Sequence, residues 1–189
     1  MKKDINLLIK DKDSQNLYNL SQNLLQTIYN ARAALTKLGV IRSNKLAGAD
    51  YTEWLVSILT GAEINPNKSK NGYDLEIKKN SKKIEVKSRM VNDINKFTDF
   101  HISAEPDKQS FICDELYCVL LNHKYEILLI MKIDFKNGAF NRLKEHELIK
   151  LNDKQKENRF TISWNKSRKN KLIEFSKNNS DVIEILYLT

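Results

Sequence analysis

The chain has 189 residues, of which 41% are hydrophobic and 30% are charged, and its formal net charge is +8. This size and apolar content predict one soluble domain, or one domain with an appended helical element, with a sizeable core, and they exclude disorder throughout the chain. We find no apolar run that could span a bilayer, no secretory segment after Met1, and two cysteines that form neither a zinc framework nor a disulfide scaffold, so we expect a cytoplasmic protein.

Two helices are predicted first. One long helix covers about residues 14–38 and ends at Gly39, and an apolar residue recurs every seven positions within it, at Leu17, Leu24, Ala31 and Leu38. This stripe either packs on a sheet or pairs with a second subunit. The second helix covers 50–60 and ends at Gly61. A loop over 65–71 follows it.

Two short alternating segments predict a hairpin. Polar and apolar side chains alternate over 73–78 and again over 83–87, with a turn at 79–81. Only a register that sets Asp74 opposite Glu85 or Lys87 unites the apolar side chains of both strands on one face. Asp74, Glu85 and Lys87 then point the same way, about 5 to 7 Å apart.

These three residue types suit a divalent metal. Mg²⁺ prefers oxygen ligands, usually one or two protein carboxylates together with water and phosphate oxygens. Asp74 and Glu85 would supply the carboxylates, and Lys87 would orient the attacking water or offset charge on the phosphate. The alternative is a solvated hairpin face on which the three residues form ordinary cross-strand ion pairs.

The rest of the chain predicts further strands and charged connections. The strands are expected at 97–103, 116–121, 126–134, 160–164 and 182–188. A loop is expected at 105–110. The high charge of residues 142–157 predicts a helix or an exposed connection there. His101 lies in a predicted strand that could approach the site, but the three histidines have no ligand spacing, which favours surface or hydrogen-bonded roles.

Basic residues surround the hairpin and recur near the end of the chain. Lysine and arginine bind phosphates with release of counterions, so the net charge favours a polyanionic partner. We expect nucleic-acid contacts from residues near the hairpin and from a helix or loop after 164: Lys68, Lys70, Arg89, Lys166, Arg168, Lys169 and Lys171.

The sequence Gly72-Tyr73-Asp74, followed after ten residues by Glu85-Val86-Lys87, resembles the PD-(D/E)xK nuclease superfamily, and most of all a type II restriction endonuclease. Tyr73 stands where the superfamily name has proline. The helix ahead of the hairpin carries Glu53 where many members have a glutamate that assists metal binding. The alternative for Glu53 is a capping box with Asp50 at the helix start.

The resemblance implies an α/β fold, with a restriction endonuclease-like mixed β-sheet flanked by helices and a long N-terminal helix. Residues 1–189 would form a single nuclease domain, with an N-terminal helical element at 1–45 and a catalytic core at 46–189. The implied activity is cleavage of double-stranded DNA with Mg²⁺, or Mn²⁺ as a substitute. The Val86 carbonyl would be a further metal ligand.

The same resemblance implies a homodimer without an organic cofactor or a membrane partner. Two other functions stay open. The chain could be a structure-selective resolvase or repair nuclease, or it could be a DNA-binding module without catalysis. Metal-dependent cutting would separate the enzymes from the module.

Overall fold

Two β-sheets and four α-helices form the part of the chain that this computed structural model describes. The described residues are 5–37, 48–65, 73–96, 98–105, 110–111, 113–136, 138–151 and 159–189. Gly39, Lys68 and Lys70, which figure in the predictions above, lie outside these ranges.

The larger sheet has six strands, and one parallel pair makes it a mixed sheet. Its strands are β1 (Glu63–Ile64), β2 (Leu75–Ile77), β3 (Lys82–Met90), β6 (Glu115–Leu121), β7 (Ile127–Asp134) and β10 (Ile183–Leu188). Their spatial order is β1-β2-β3-β6-β7-β10, with β3 parallel to β6 and all other neighbours antiparallel. Every residue of β6 is buried, as expected for a central strand covered on both faces.

The smaller sheet has the order β5-β4-β9-β8. Its strands are β4 (Thr98–Glu105), β5 (Ser110–Phe111), β8 (Lys150–Leu151) and β9 (Arg159–Trp164). The helices are α1 (Lys12–Lys37), α2 (Gly48–Thr60), α3 (Ala139–Glu145) and α4 (Lys166–Asn178), and a short 3-10 helix covers Ile5–Leu7. Within the described ranges, none of these helices combines the length and apolar character that a bilayer crossing requires.

The larger sheet lies between two apolar layers. One layer joins its β6 and β7 side chains to the smaller sheet and to α4, and includes Leu116, Met131, Phe100, Ile162 and Phe175. The other layer joins the opposite face to α1 and α2, and includes Val119, Ile130, Tyr18, Leu25 and Leu55. Alternation along each strand divides the apolar side chains between these two layers.

The predicted α/β class, the mixed sheet and the long N-terminal helix are confirmed. Two predicted boundaries were wrong. β2 begins at Leu75 rather than at residue 73, because Asp74 forms a bend. The two end residues of the loop predicted at 105–110, Glu105 and Ser110, pair with each other in strands β4 and β5, and residues 106–109 lie outside the described ranges. The region 142–157 contains the end of α3 and β8, and its residues 152–157 fall outside the described ranges.

The apolar stripe of α1 does not pack on the sheet. Leu17 is 54% exposed and Leu24 is 56% exposed, whereas Tyr18 and Leu25, each one position later, are buried in the core. Side chains seven residues apart lie on one side of a helix, so the helix presents a second side to the core. Leu17 and Leu24 therefore do not pack on the sheet, and pairing with a second subunit stays a prediction; Leu38 of the same stripe lies outside the described residues.

Candidate functional site

The observed hairpin register is one of the two that the sequence predicted. β2 pairs with β3 through Leu75↔Ile84, Glu76↔Lys83 and Ile77↔Lys82. Continuing this ladder by one residue sets Asp74 opposite Glu85. The turn occupies 78–81, where Ser81 has a φ of 51°, a backbone conformation that relatively few non-glycine residues adopt.

The burial of the apolar side chains on one face of the hairpin determines the direction in which its acidic side chains point. Leu75, Ile84 and Val86 are buried in the layer that contains α2. Because successive side chains of a strand point to opposite faces, Glu85 and Lys87 point toward the side of the smaller sheet. β3 contacts β4 on that side, so the site lies near the junction of the two sheets.

Hydrogen bonds hold Asp74 in place from three directions. Its Oδ2 accepts a bond from the Val86 backbone N–H at 2.8 Å, and its own N–H donates to the Ile84 carbonyl at 3.0 Å. Its carbonyl accepts from the Asn65 N–H at 2.8 Å, and the Asn65 side-chain amide donates to the Tyr73 carbonyl at 3.1 Å. The Asp74 carboxylate is therefore held beside β3, although Asp74 itself lies just before the start of β2.

Glu85 and Lys87 form an ion pair within the site, between Oε1 and Nζ. Their side chains are 15% and 29% exposed, respectively. Burial raises the pKa of Glu85, and the neighbouring Asp74 carboxylate raises it further, while Lys87 lowers it. The net direction is upward, with burial as the largest cause.

The Val86 carbonyl points to the Asp74 side of β3. Within a strand, the N–H and C=O of one residue point to the same side, and the Val86 N–H bonds to Asp74. The pairing of β2 with β3 ends at Leu75 and Ile84. The Val86 carbonyl therefore lies beyond the last paired residue of β2, next to Asp74. Among the described residues, no three His, Cys, Asp or Glu side chains group closely enough to hold a metal. Two carboxylates, a peptide carbonyl and water suit Mg²⁺ rather than zinc.

Glu53 lies on the layer behind the hairpin. α2 begins at Gly48, so Asp50 lies within its first turn, and the capping box with Asp50 ahead of the helix is wrong. Glu53 is 6% exposed and is therefore buried. α2 lies against four strands of the larger sheet, β1, β2, β3 and β6.

Arg89 is engaged within the protein. Its Nε donates to the Asp99 carbonyl at 3.0 Å and its Nη1 donates to the Ser88 carbonyl at 2.9 Å. The bond to Asp99 links β3 to β4, and together the two bonds use two of the five N–H groups of the guanidinium. Arg89 therefore joins the two sheets at the site, and only its remaining N–H groups are available to a phosphate.

The four cations near the end of the chain lie on α4 and do not form one patch. Asn165 caps this helix by accepting bonds from the N–H groups of Ser167 and Arg168. At 100° per residue, Lys166 and Lys169 share one side while Arg168 and Lys171 turn to another. The Arg168 Nη1 atom is buried without a partner among the described residues, and Lys171 pairs with Glu147 at 3.4 Å.

The histidines take the hydrogen-bonded or surface positions that their spacing favoured. The His101 Nδ1 lies 3.0 Å from the Thr161 hydroxyl, on the neighbouring strand β9. The His146 ring packs edge-on to Phe175, with 4.9 Å between ring centroids. His123 lies in the turn between β6 and β7.

Sequence reasoning missed two residues next to the site. Asn65 orients the Tyr73-Asp74 backbone, and its position before Pro66 is a turn signal that could have drawn attention to it. Cys113 is buried near Glu85, and burial, together with the Glu85 charge, raises the pKa of the Cys113 thiol to about 12. No local signal indicates this contact, because it depends on the pairing of β3 with β6.

Replacing Glu85 by glutamine should raise the melting temperature at pH 7. The folded-state pKa of Glu85 lies above its ordinary value of 4.5, so the folded chain binds this proton more tightly than the unfolded chain. The stability that Glu85 contributes is therefore present below pH 4.5 and is lost as the pH rises through the raised pKa. Glutamine mimics the protonated acid and should avoid that loss.

Thermal unfolding without divalent metal, followed by circular dichroism between about pH 4 and pH 8, measures this effect. The gap between the Glu85→Gln variant and the wild type should be widest near neutrality and should close toward pH 4. Glu184→Gln, at an exposed position on strand β10 of the same sheet, is the matched control. A lower melting temperature for Glu85→Gln at pH 7 would mean that the Lys87 ion pair outweighs burial.

The arrangement can bind a hard cation between two carboxylates and present a lysine ammonium beside it. No known protein family is matched by this chain, and no curated protein matches it. Support for a function therefore comes from the geometry and chemistry of the site itself.

Proposed function

We propose that this chain is a Mg²⁺-dependent DNA endonuclease that hydrolyses phosphodiester bonds. Within that class, we propose a type II restriction enzyme that acts on double-stranded DNA as a homodimer. The observation that carries the proposal is the hairpin geometry, in which Asp74 lies opposite Glu85 and Glu85 contacts Lys87. The raised pKa of Glu85 adds support, because burial disfavours its charge and a bound cation would stabilise the charged carboxylate there.

Each residue has a distinct part in the proposed reaction. Asp74 and Glu85 would hold Mg²⁺ together with the Val86 carbonyl. The bound ion would act as a Lewis acid on the phosphate and activate water. Lys87 forms an ion pair with Glu85. If Glu85 bound a metal ion instead, the Lys87 ammonium would be available to orient the water or to offset charge on the phosphate.

Glu53 has a supporting part in this proposal. Its helix packs against the rear face of β3, and the side chain is nearly fully buried. We therefore expect Glu53 to act through the position of α2 and the hairpin. Asn65 supports Asp74 in the same sense, because its two hydrogen bonds fix the backbone on which the carboxylate is carried.

Digestion of a supercoiled plasmid and of a synthetic four-way junction, each with Mg²⁺ and with EDTA, tests the proposal. Discrete plasmid fragments that require Mg²⁺ are expected. Cleavage of the junction alone would point to a resolvase instead. DNA binding without any metal-dependent cleavage would leave a DNA-binding module and would overturn the enzymatic assignment.

Substituting Lys166 and Lys169 by alanine should weaken DNA binding across all sequences. These two lysines share one side of α4, whereas Arg168 and Lys171 are directed elsewhere or paired. The slope of log affinity against log salt should flatten by about 0.9 for each phosphate that the variant no longer neutralises. Binding measured in Ca²⁺ at three salt concentrations gives both the affinity and the slope.

Lys10→Ala together with Lys124→Ala removes the same charge at exposed positions away from α4 and serves as the control. An unchanged slope in the α4 variant would identify a solvated helix face that does not touch DNA. A decrease confined to one DNA sequence would indicate base readout, since phosphate contacts carry little sequence information directly.

A further inference from the structure

The long helix α1 exposes a continuous apolar side. Four side chains along it are between 44% and 56% exposed: Leu17, Leu20, Leu24 and Ile28. They are spaced three, four and four residues apart, which aligns them along one side of the helix. Scattered single apolar residues are ordinary on a protein surface, but an aligned row of four marks an interaction surface.

This side is separate from the side that holds α1 on the domain. Tyr18 and Leu25 are buried in the core, and Gln22 bonds to the Tyr51 hydroxyl between them. At 100° per residue, the exposed row lies about a third of a turn away from these residues. The core therefore uses one side of α1, and in the part of the chain that the structure describes the apolar row stays about half exposed.

The charge of the helix restricts what can cover this row. No charged residue lies between Asp13 and Arg32, in a chain of which 30% is charged. An acidic or a basic partner would find no complementary charge beside the row. A second copy of the same helix meets no like-charge repulsion there, and the flanking amides and hydroxyls can bond across the contact.

The row is also complementary to itself. In an antiparallel pair centred near Gln22, Leu17 of one copy meets Ile28 of the other, and Leu20 meets Leu24. A two-fold axis through that centre uses the same surface on both chains, as closed dimers do. The antiparallel arrangement also opposes the two helix dipoles favourably. The seven-residue spacing of Leu17 and Leu24 is the seam spacing of paired helices.

We propose that α1 is a homodimer interface, and that its occupant is α1 of a second copy of this chain, packed antiparallel through Leu17, Leu20, Leu24 and Ile28. The interface is apolar and free of charge at its centre. The net charge of +8 on each copy opposes association, so added salt should strengthen the dimer by screening that repulsion. An interface built on ion pairs would respond to salt in the opposite direction.

Sedimentation equilibrium of the full chain, from about 1 to about 200 μM at low and high salt, tests this proposal. The wild type should dimerise, and a variant with glutamine at all four positions of the row should weaken dimerisation at least about tenfold. All four side chains are exposed in the single chain, so their replacement leaves no cavity in the core. Circular dichroism should show an unchanged helix content.

The matched control places glutamine at four exposed asparagines of the same helix, namely Asn16, Asn19, Asn23 and Asn30. It should dimerise like the wild type. A wild type that remains monomeric at the highest concentration, a leucine-row variant that dimerises normally, or a control that fails to dimerise would each overturn the proposal. No DNA or metal is present, so the result does not depend on the proposed nuclease activity.

Discussion

Changing Asp74 to asparagine or Glu85 to glutamine should abolish Mg²⁺-dependent cleavage while the chain stays folded. Removing a carboxylate ligand takes away several kcal/mol of charge stabilisation, so cleavage should fall by about a thousandfold or more. Asparagine can still accept the bond from the Val86 N–H through its side-chain carbonyl, which keeps the hairpin intact. Initial rates of plasmid cleavage at several Mg²⁺ concentrations measure the effect.

Metal binding offers a second readout for the same two variants. Mg²⁺ should raise the melting temperature of the wild type, because a ligand that binds only the folded chain stabilises it. The two variants should lose most of this increase. Glu184→Gln on β10 is the control for a strand glutamate outside the site. Near-wild-type cleavage with unchanged Mg²⁺ dependence in either variant would show that its carboxylate is not a ligand.

Lys87→Met should lower the cleavage rate by about two to three orders of magnitude and leave DNA affinity within a few fold of the wild type. The proposed work of Lys87 is on the water and on the charge that develops during the reaction. Its contact with DNA in the ground state is one among many. Cleavage under single-turnover conditions and binding in Ca²⁺ separate the two quantities.

Lys79→Met, in the exposed turn of the same hairpin, is the matched control for the removal of one positive charge. It should change neither rate nor affinity by more than a few fold. If Lys87→Met reduces cleavage and affinity by the same factor, Lys87 is a binding residue. Activity close to that of the wild type would remove Lys87 from the proposed mechanism altogether.

The hairpin is the part of the site that the sequence determined. Its side chains alternate with a period of two, and one face must be buried, so only two registers fit. The observed pairing of Leu75 with Ile84 is one of them. The strands β6 and β7 were also foreseeable within a residue, because continuous apolar runs bounded by a turn favour buried strands.

The surroundings of the hairpin followed from contacts between distant segments. The parallel pairing of β3 with β6 brings Cys113 next to Glu85, and no local pattern indicates which strands become neighbours. Glu53 is buried on α2, which lies against four strands of the larger sheet. The approach of β4 to β3 occupies one donor of Arg89, through the Asp99 carbonyl, although the sequence predicted that Arg89 contacts DNA.

The sequence by itself determined which residues are apolar, where they recur, and which polar groups share a strand face. Only the tertiary structure decided which apolar surfaces are covered. In α1, the periodicity revealed the row that contains Leu17 and Leu24, but the core packs against Tyr18 and Leu25 instead. The physical reason is that burial depends on how whole elements fit together, whereas periodicity reports only the composition of each side of one element.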